Sequence, residues 1–205
     1  MVSRVIPVDP FDLVIFGATG DLARRKIIPG LFHRFVVGPM PAEARIIGAA
    51  RSEMTRDAFV ELIRESLKEF APRSAETPAQ IAAFLKTLHY VCVDATGEAG
   101  WRELGEHLRL EAARVFYLSV SPALFGAIAD NLDVHGLAIP QARIVVEKPF
   151  GHDLASAKAL NADPIIRRWE DARQRPTPYD PGSAGPEDAL MLLHRDGRRW
   201  PDLEP

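Results

Sequence analysis

The stretch that decides the reading is Phe11–Lys26, FDLVIFGATGDLARRK. Asp12 to Phe16 is a short run of apolar, β-branched and aromatic residues, suited to a strand covered on both faces. Gly17 and Gly20 bracket a turn, and beyond it Leu22, Ala23, Ile27 and Ile28 are spaced as one face of a helix. A helix start presents unpaired backbone N–H groups and a partial positive charge, so a phosphate fits there without a dedicated side chain. Gly17 permits the sharp turn and Gly20 lets a ligand approach backbone unobstructed by a Cβ. The three-glycine dinucleotide fingerprint G-x-G-x-x-G is incomplete, because Thr19 and Leu22 stand at its second and third glycine positions. On these residues alone, an ordinary strand-to-helix turn without a ligand stays open.

Outward from this turn the pattern alternates. A first helix is expected from about Leu22 to Phe35 and a second strand at Arg45–Ala50, RIIGAA. Thr55 caps a helix reaching Phe70, with Phe59, Leu62, Ile63 and Leu67 on one face. Helical spacing returns over Thr77–Leu88, a third strand is expected at Tyr90–Val93, and Glu98–Ala112 has helical character interrupted by Gly100 and Gly105. Val115–Val120 reads as a fourth strand, Ser121-Pro122 opens a helix to about Leu132, and Arg143–Glu147 is a fifth strand. Asp153 caps one more helix carrying Leu154, Ala157 and Leu160. Strands alternating with helices imply an α/β fold, a Rossmann-like doubly wound parallel sheet whose ligands sit beyond the carboxyl ends of the strands.

Near Asn161 and Ala162 the composition shifts, and the tail to Pro205 holds seven of the 17 prolines. The expected division is residues 1–161 as a coenzyme-binding domain and 162–205 as a C-terminal extension of little regular structure. With 205 residues, 47% of them apolar, the chain can build a core, and its net charge of −3 gives no argument for nucleic acid. The single Cys92 cannot form an intrachain disulfide, which favours a reducing compartment. No apolar run approaches the roughly 20 residues that span a bilayer, and MVSRVIPVDP lacks a secretory apolar region. A cytoplasmic protein without membrane contact is the expectation.

Among residues that carry chemistry, Arg51 closes the second strand, where an Arg pairs with the 2′-phosphate of NADP. Thr19 can add a hydroxyl to that phosphate, and Glu53 keeps an NAD-type ribose contact open as the alternative. Glu147-Lys148-Pro149-Phe150-Gly151 follows the fifth strand, where Lys148 supplies a point charge for a phosphate or carboxylate, or is an ordinary surface lysine in a turn. No two of the six histidines have metal-ligand spacing, and Cys92 within a strand reads as core. Neither G-x-S-x-G nor H-E-x-x-H occurs, and no side chain reads as a catalytic base.

Taken together, FGATGDLARRKIIPGLF, RIIGAAR, VFYLSVSP and IVVEKPFGHDL resemble, in this order, the coenzyme domain of glucose-6-phosphate dehydrogenases over nearly all of residues 11–161. The resemblance implies a Rossmann domain joined to a large β+α domain, oxidation of glucose 6-phosphate with NADP+, and a place at the head of the pentose phosphate pathway. It implies that Gly17, Thr19, Gly20, Asp21 and Leu22 line the coenzyme, that Arg51 holds the 2′-phosphate, and that Lys148 touches both coenzyme and sugar phosphate. A Tyr carried by some members after the fourth strand is Phe125 here. In that family the helix HDLASAKALN leads into a strand and R-I-D-H-Y-L-G-K-E, which binds the sugar phosphate, and a catalytic His follows. Here the chain passes from Asn161 to ADPIIRRWEDAR and to a tail, YDPGSAGPEDALMLLHRDGRRW, similar to the family's extreme C-terminus. The resemblance therefore implies an internally deleted dehydrogenase that is inactive alone, with the sheet face that met the missing domain exposed by the deletion and open to association. A non-catalytic NADP-binding module or an inert remnant is the alternative.

Overall fold

The structure is a computed structural model that describes residues 10–38, 40–41, 43–71, 77–139 and 142–146. Expectations for Glu147–Gly151 (Lys148 included), for the helix capped by Asp153, for the 161/162 boundary and for the C-terminal extension lie outside the described residues.

Five parallel strands form one sheet: β1 (Phe11–Phe16), β2 (Arg45–Ala50), β3 (Leu88–Cys92), β4 (Ala113–Leu118) and β5 (Arg143–Val146). Their spatial order is β3-β2-β1-β4-β5, the doubly wound order in which the chain reverses direction across the sheet between β1 and β4. In β1, Leu13 and Ile15 face one layer while Val14 and Phe16 face the other, and all four are nearly or fully inaccessible. The first layer contains α1 (Ile28–Val37), α2 (Arg56–Phe70) and α3 (Pro78–Lys86). The second contains α4 (Trp101–His107) and α5 (Phe125–Val134), with the Trp101 and Phe125 side chains packed into it. Continuous apolar strands are therefore the sequence signature of a sheet buried on both faces.

Local chemistry sets the helix boundaries. Thr55 caps α2 by accepting the Ala58 N–H at 3.2 Å. At α3, Thr77 and Gln80 form a reciprocal capping box. The first helix starts as expected but passes through a π-helical stretch, Ala23–Ile27, where the Ile28 N–H donates to Ala23 O. Pro29 follows at once; it has no N–H and would crowd the carbonyl four residues earlier, so a widened turn relieves the conflict. Gly48 in β2 leaves space for the Phe59 ring of α2, since a Cβ there would lie 2.5 Å from Phe59 Cζ.

Some boundaries differ from the sequence expectation. α3 ends at Lys86, and β3 begins at Leu88 rather than Tyr90; the Thr87 hydroxyl turns back to Phe84 O at 2.7 Å and closes the helix. β4 runs from Ala113 to Leu118, two residues ahead of the expected Val115–Val120. The expected helix over Glu98–Ala112 shrinks to Trp101–His107. At its start Gly100 is left-handed (φ +86°), with a would-be Cβ only 1.9 Å from Cys92 O, so the helix cannot extend backwards. At its end the Arg109 N–H is taken by Asp12 Oδ2 at 2.7 Å instead of a helical carbonyl.

That last contact belongs to a buried ion pair at the amino end of the sheet. Asp12 is fully buried, and Oδ1 accepts from Arg109 Nε at 2.9 Å and Nη2 at 2.7 Å. Arg114, also buried, donates to Leu137 O and Arg109 O, and burial pulls its pKa down while the Asp12 charge opposes that shift. Removing the carboxylate would leave two guanidinium groups without their counter-charge. Asp12→Ala is expected to cost about 3 kcal/mol of unfolding free energy, read by urea denaturation; a loss below about 1 kcal/mol would put this pair in the class of surface bridges.

Candidate functional site

At the carboxyl end of the sheet, β1 runs into Gly17-Ala18-Thr19-Gly20. The Gly17 N–H donates to Ala49 O of β2 at 2.8 Å, and the Ser119 N–H, just past β4, donates to Phe16 O at 3.0 Å. The turn is thus pinned between its two neighbouring strands. Gly17 has φ +79°, and a Cβ on it would sit 2.2 Å from Ser119 O. Two separate reasons, backbone hand and lack of space, therefore require glycine here.

The turn closes with Gly20 N–H on Gly17 O at 2.9 Å, and the first α-type bond runs from Arg24 N–H to Gly20 O at 3.1 Å. The N–H groups of Asp21, Leu22 and Ala23 precede that bond and lead the helix. Gly20 is exposed, and the only atom within 4 Å of its would-be Cβ is Gly17 O, so its outer side is open. Thr19 is half-buried; Asp21 is exposed and pairs with Arg25 at 3.5 Å; Leu22 is a rare exposed large apolar residue, 39% accessible. Arg24 anchors the turn from behind by donating to Ser66 Oγ of α2 at 3.1 Å.

On the β2 side, Arg51 and Ser52 extend past the strand and are exposed. Their backbone is held from β3: the Tyr90 hydroxyl donates to Ser52 O, and Cys92 Sγ donates to Arg51 O at 3.4 Å. Burial pushes the Tyr90 pKa up to about 12, with Cys92 adding to the shift, so this hydroxyl stays a donor at neutral pH. Among the described residues the Arg51 guanidinium forms no salt bridge. Asp94, beyond β3, has its pKa lowered chiefly by hydrogen bonds from Thr96 and, to a smaller extent, by the Arg51 charge. Glu53 is exposed nearby in sequence.

On the β4 side, Ser119 Oγ is buried with no hydrogen-bond partner among the described residues. Such a hydroxyl has lost water without compensation, a cost of about 1–3 kcal/mol. Sequence reading did not single out Ser119 or Asp94. Ser119 stands out only when β4 is known to lie beside β1, because VFYLSVSP by itself shows one more small polar residue after a strand.

The structure thus brings Gly17, Thr19, Gly20, Asp21, Leu22 and Arg51 to one edge, while Lys148 falls outside the described residues. Phe125 starts α5 and is buried in the core beside Phe16 and Trp101. Two of the four described histidines, His89 and His107, lie with ring centroids 5.4 Å apart, and burial, then the His107 charge, lowers the His89 pKa. No group of three or more described His, Cys, Asp or Glu residues could hold a metal, and no described helix is long and apolar enough to cross a membrane. A turn bracketed by two glycines, three leading N–H groups, a hydroxyl without a partner among the described residues and an exposed Arg meet the needs of a dinucleotide laid across the strand ends.

The model of the glucose-6-phosphate dehydrogenase NAD-binding domain matches residues 14–171. The chain belongs to this family. It is 44% identical to the glucose-6-phosphate 1-dehydrogenase of Rhizobium meliloti over 163 residues, covering 78% of this chain and 33% of that protein. The corresponding protein of Gluconobacter oxydans is 42% identical over 158 residues, covering 75% and 32%. The crystal structure of glucose-6-phosphate 1-dehydrogenase from Mycobacterium avium superposes with a TM-score of 0.69 at 34% identity, covering 80% of this chain and 35% of that one. The chain spans about a third of the length of the relatives it matches. The family bears out the Rossmann-like reading and the nicotinamide dinucleotide class of coenzyme.

Gly17→Ala is expected to destabilise the ligand-free chain by about 2 kcal/mol or more, the left-handed backbone alone costing about 1–2 kcal/mol. Chemical denaturation reads this directly; a variant as stable as the parent would contradict the clamp between Ala49 and Ser119.

Proposed function

We propose that this chain is the NADP-binding domain of a glucose-6-phosphate dehydrogenase, which binds coenzyme but does not turn over by itself. The observation that carries the coenzyme choice is Arg51, exposed and outside any described salt bridge, two residues past Ala49, whose carbonyl fixes the Gly17 turn. A guanidinium at that strand end suits a 2′-phosphate, whereas the ribose 2′-OH of NAD is served by a carboxylate. Gly17 and Gly20 admit the pyrophosphate, Thr19 adds a hydroxyl, and Asp21 and Leu22 contribute backbone N–H groups. The Asp21 carboxylate would repel an anion and is better used in its pair with Arg25. Lys148 is assigned a contact with both coenzyme and glucose 6-phosphate on the resemblance of EKPFG alone.

In the full-length relatives the reaction would be oxidation of glucose 6-phosphate with NADP+, the entry to the pentose phosphate pathway. Coenzyme would supply the hydride acceptor, and the protein would have to supply a base for the sugar hydroxyl proton and a site that orients the sugar. R-I-D-H-Y-L-G-K-E does not occur in this sequence, and the passage from Asn161 to Ala162 reads as an internal deletion. Losing a general base typically lowers rate by about 10² to 10⁴, and losing substrate orientation removes up to about 7–11 kcal/mol of barrier lowering. The chain alone is therefore a coenzyme-binding module; the expected open sheet face is not seen among the described residues, where helices cover the sheet on both sides.

Calorimetric titration is expected to show NADP+ binding at least about tenfold tighter than NAD+, in line with about 1.5–3 kcal/mol for hydrogen bonds to a charged group. Arg51→Ala should erase that difference and leave NAD+ affinity unchanged; discrimination that survives the substitution would overturn the assignment. With glucose 6-phosphate and NADP+, the purified chain should give no NADPH absorbance above background. Measurable production would refute the claim of inactivity alone.

A further inference from the structure

We infer that Ser119 is a coenzyme-binding residue, its hydroxyl hydrogen-bonding a ribose oxygen of the nicotinamide half of the dinucleotide. The inference rests on the NADP-binding reading and assigns a residue that the sequence motifs leave out. Three observations carry it.

First, Ser119 Oγ is one of two buried side-chain polar atoms with no partner among the described residues, the other being Arg114 Nε. Arg114 Nε has a local explanation, because the same guanidinium already donates to Leu137 O and Arg109 O. Ser119 has a single hydroxyl and nothing to offset its burial. An orphan of this kind calls for an absent partner.

Second, the position is the crevice itself. Ser119 directly follows β4, its N–H is bonded to Phe16 O, and its carbonyl occupies the space that a Gly17 Cβ would fill. It therefore lies against the turn where the pyrophosphate would rest, at the point where the strand order reverses. Third, the side is right. In strand register Phe16 is flanked by Ala49 on one hand and Leu118 on the other. Arg51 continues from Ala49 and Ser119 from Leu118. If Arg51 takes the adenosine 2′-phosphate, the other nucleotide half crosses to the β4 side, over Ser119. The residue is half-buried as a whole, and rotation between staggered χ1 wells moves the hydroxyl without moving the backbone.

The test compares Ser119→Ala with the parent chain by calorimetric titration with NADP+ and with adenosine 2′,5′-bisphosphate, which retains the groups assigned to Arg51 and lacks the nicotinamide half. The expected result is about a five- to tenfold loss of NADP+ affinity with bisphosphate affinity unchanged. The ligand-free variant should melt at the same temperature as the parent or higher, since the substitution removes an unsatisfied buried hydroxyl. Equal NADP+ affinity in both chains would overturn the inference while leaving the NADP-binding reading intact. Parallel weakening toward both ligands, or a lower melting temperature without ligand, would mark Ser119 as a structural residue and overturn it too. A parent chain that binds neither compound would overturn both readings together.

Discussion

Gly17 sits between the carboxyl ends of two strands, its N–H bonded to Ala49 O and its absent side chain making way for Ser119 O. This clamp fixes where β1 stops and where the first helix begins. It also brings the ends of β2 and β4 to either side of one turn, so that Arg51 and Ser119 flank it. The start of the helix follows: its leading N–H groups come directly after the exposed Gly20. A side chain at position 17 would push β4 away or change the hand of the turn, and either would dismantle the edge. The π-helical stretch and the Arg24–Ser66 hydrogen bond then lock the following helix onto α2.

The two ends of the sheet are built on opposite electrostatic plans. At the amino end, Asp12 pairs with Arg109 and its charge reaches Arg114, while the two guanidinium groups also donate to the backbone carbonyls of Phe11, Leu137 and Arg109. The Asp12 carboxylate there is paired and withdrawn from water, as a structural brace requires. At the carboxyl end, the Arg51 side chain is exposed while only its backbone is held, by Cys92, with Tyr90 holding the neighbouring Ser52. Fixing the backbone while leaving the charged head outside any salt bridge among the described residues lowers the ordering cost of binding an anion. The contrast between a paired end and an open end is the physical reason for proposing the carboxyl edge as the coenzyme edge.

Much of this was legible in the chain. The strand-turn-helix of Phe11–Lys26, the second strand at Arg45–Ala50 and the Thr55 cap follow from local signals: β-branched runs, glycines and a capping hydroxyl. What escaped depends on contacts distant in sequence. The shortening of α4 follows from Asp12 capturing the N–H of Arg109, a residue 97 positions away. Ser119 gains meaning only from the adjacency of β1 and β4, a pairing that crosses the whole first layer of helices. The π-helical stretch has a local sign in Pro29, which stands inside the expected helix without an N–H. Lys148, read from the EKPFG motif, lies beyond the described residues and stays an assignment by resemblance.

The central claim is that a dinucleotide is received at the carboxyl edge around Gly17, with Arg51 and Ser119 on either side. Residue-resolved amide NMR of the 22.6 kDa chain during titration with NADP+ tests it most directly. The account predicts shift changes and slowed hydrogen exchange concentrated at Thr19, Asp21, Leu22 and Ala23, at Arg51 and Ser52, and at Ser119. The amides of Asp12 and Arg109, at the opposite end of the sheet, should stay unmoved. Changes centred on the amino end, or spread evenly over the chain with none at the Gly17 turn, would contradict it.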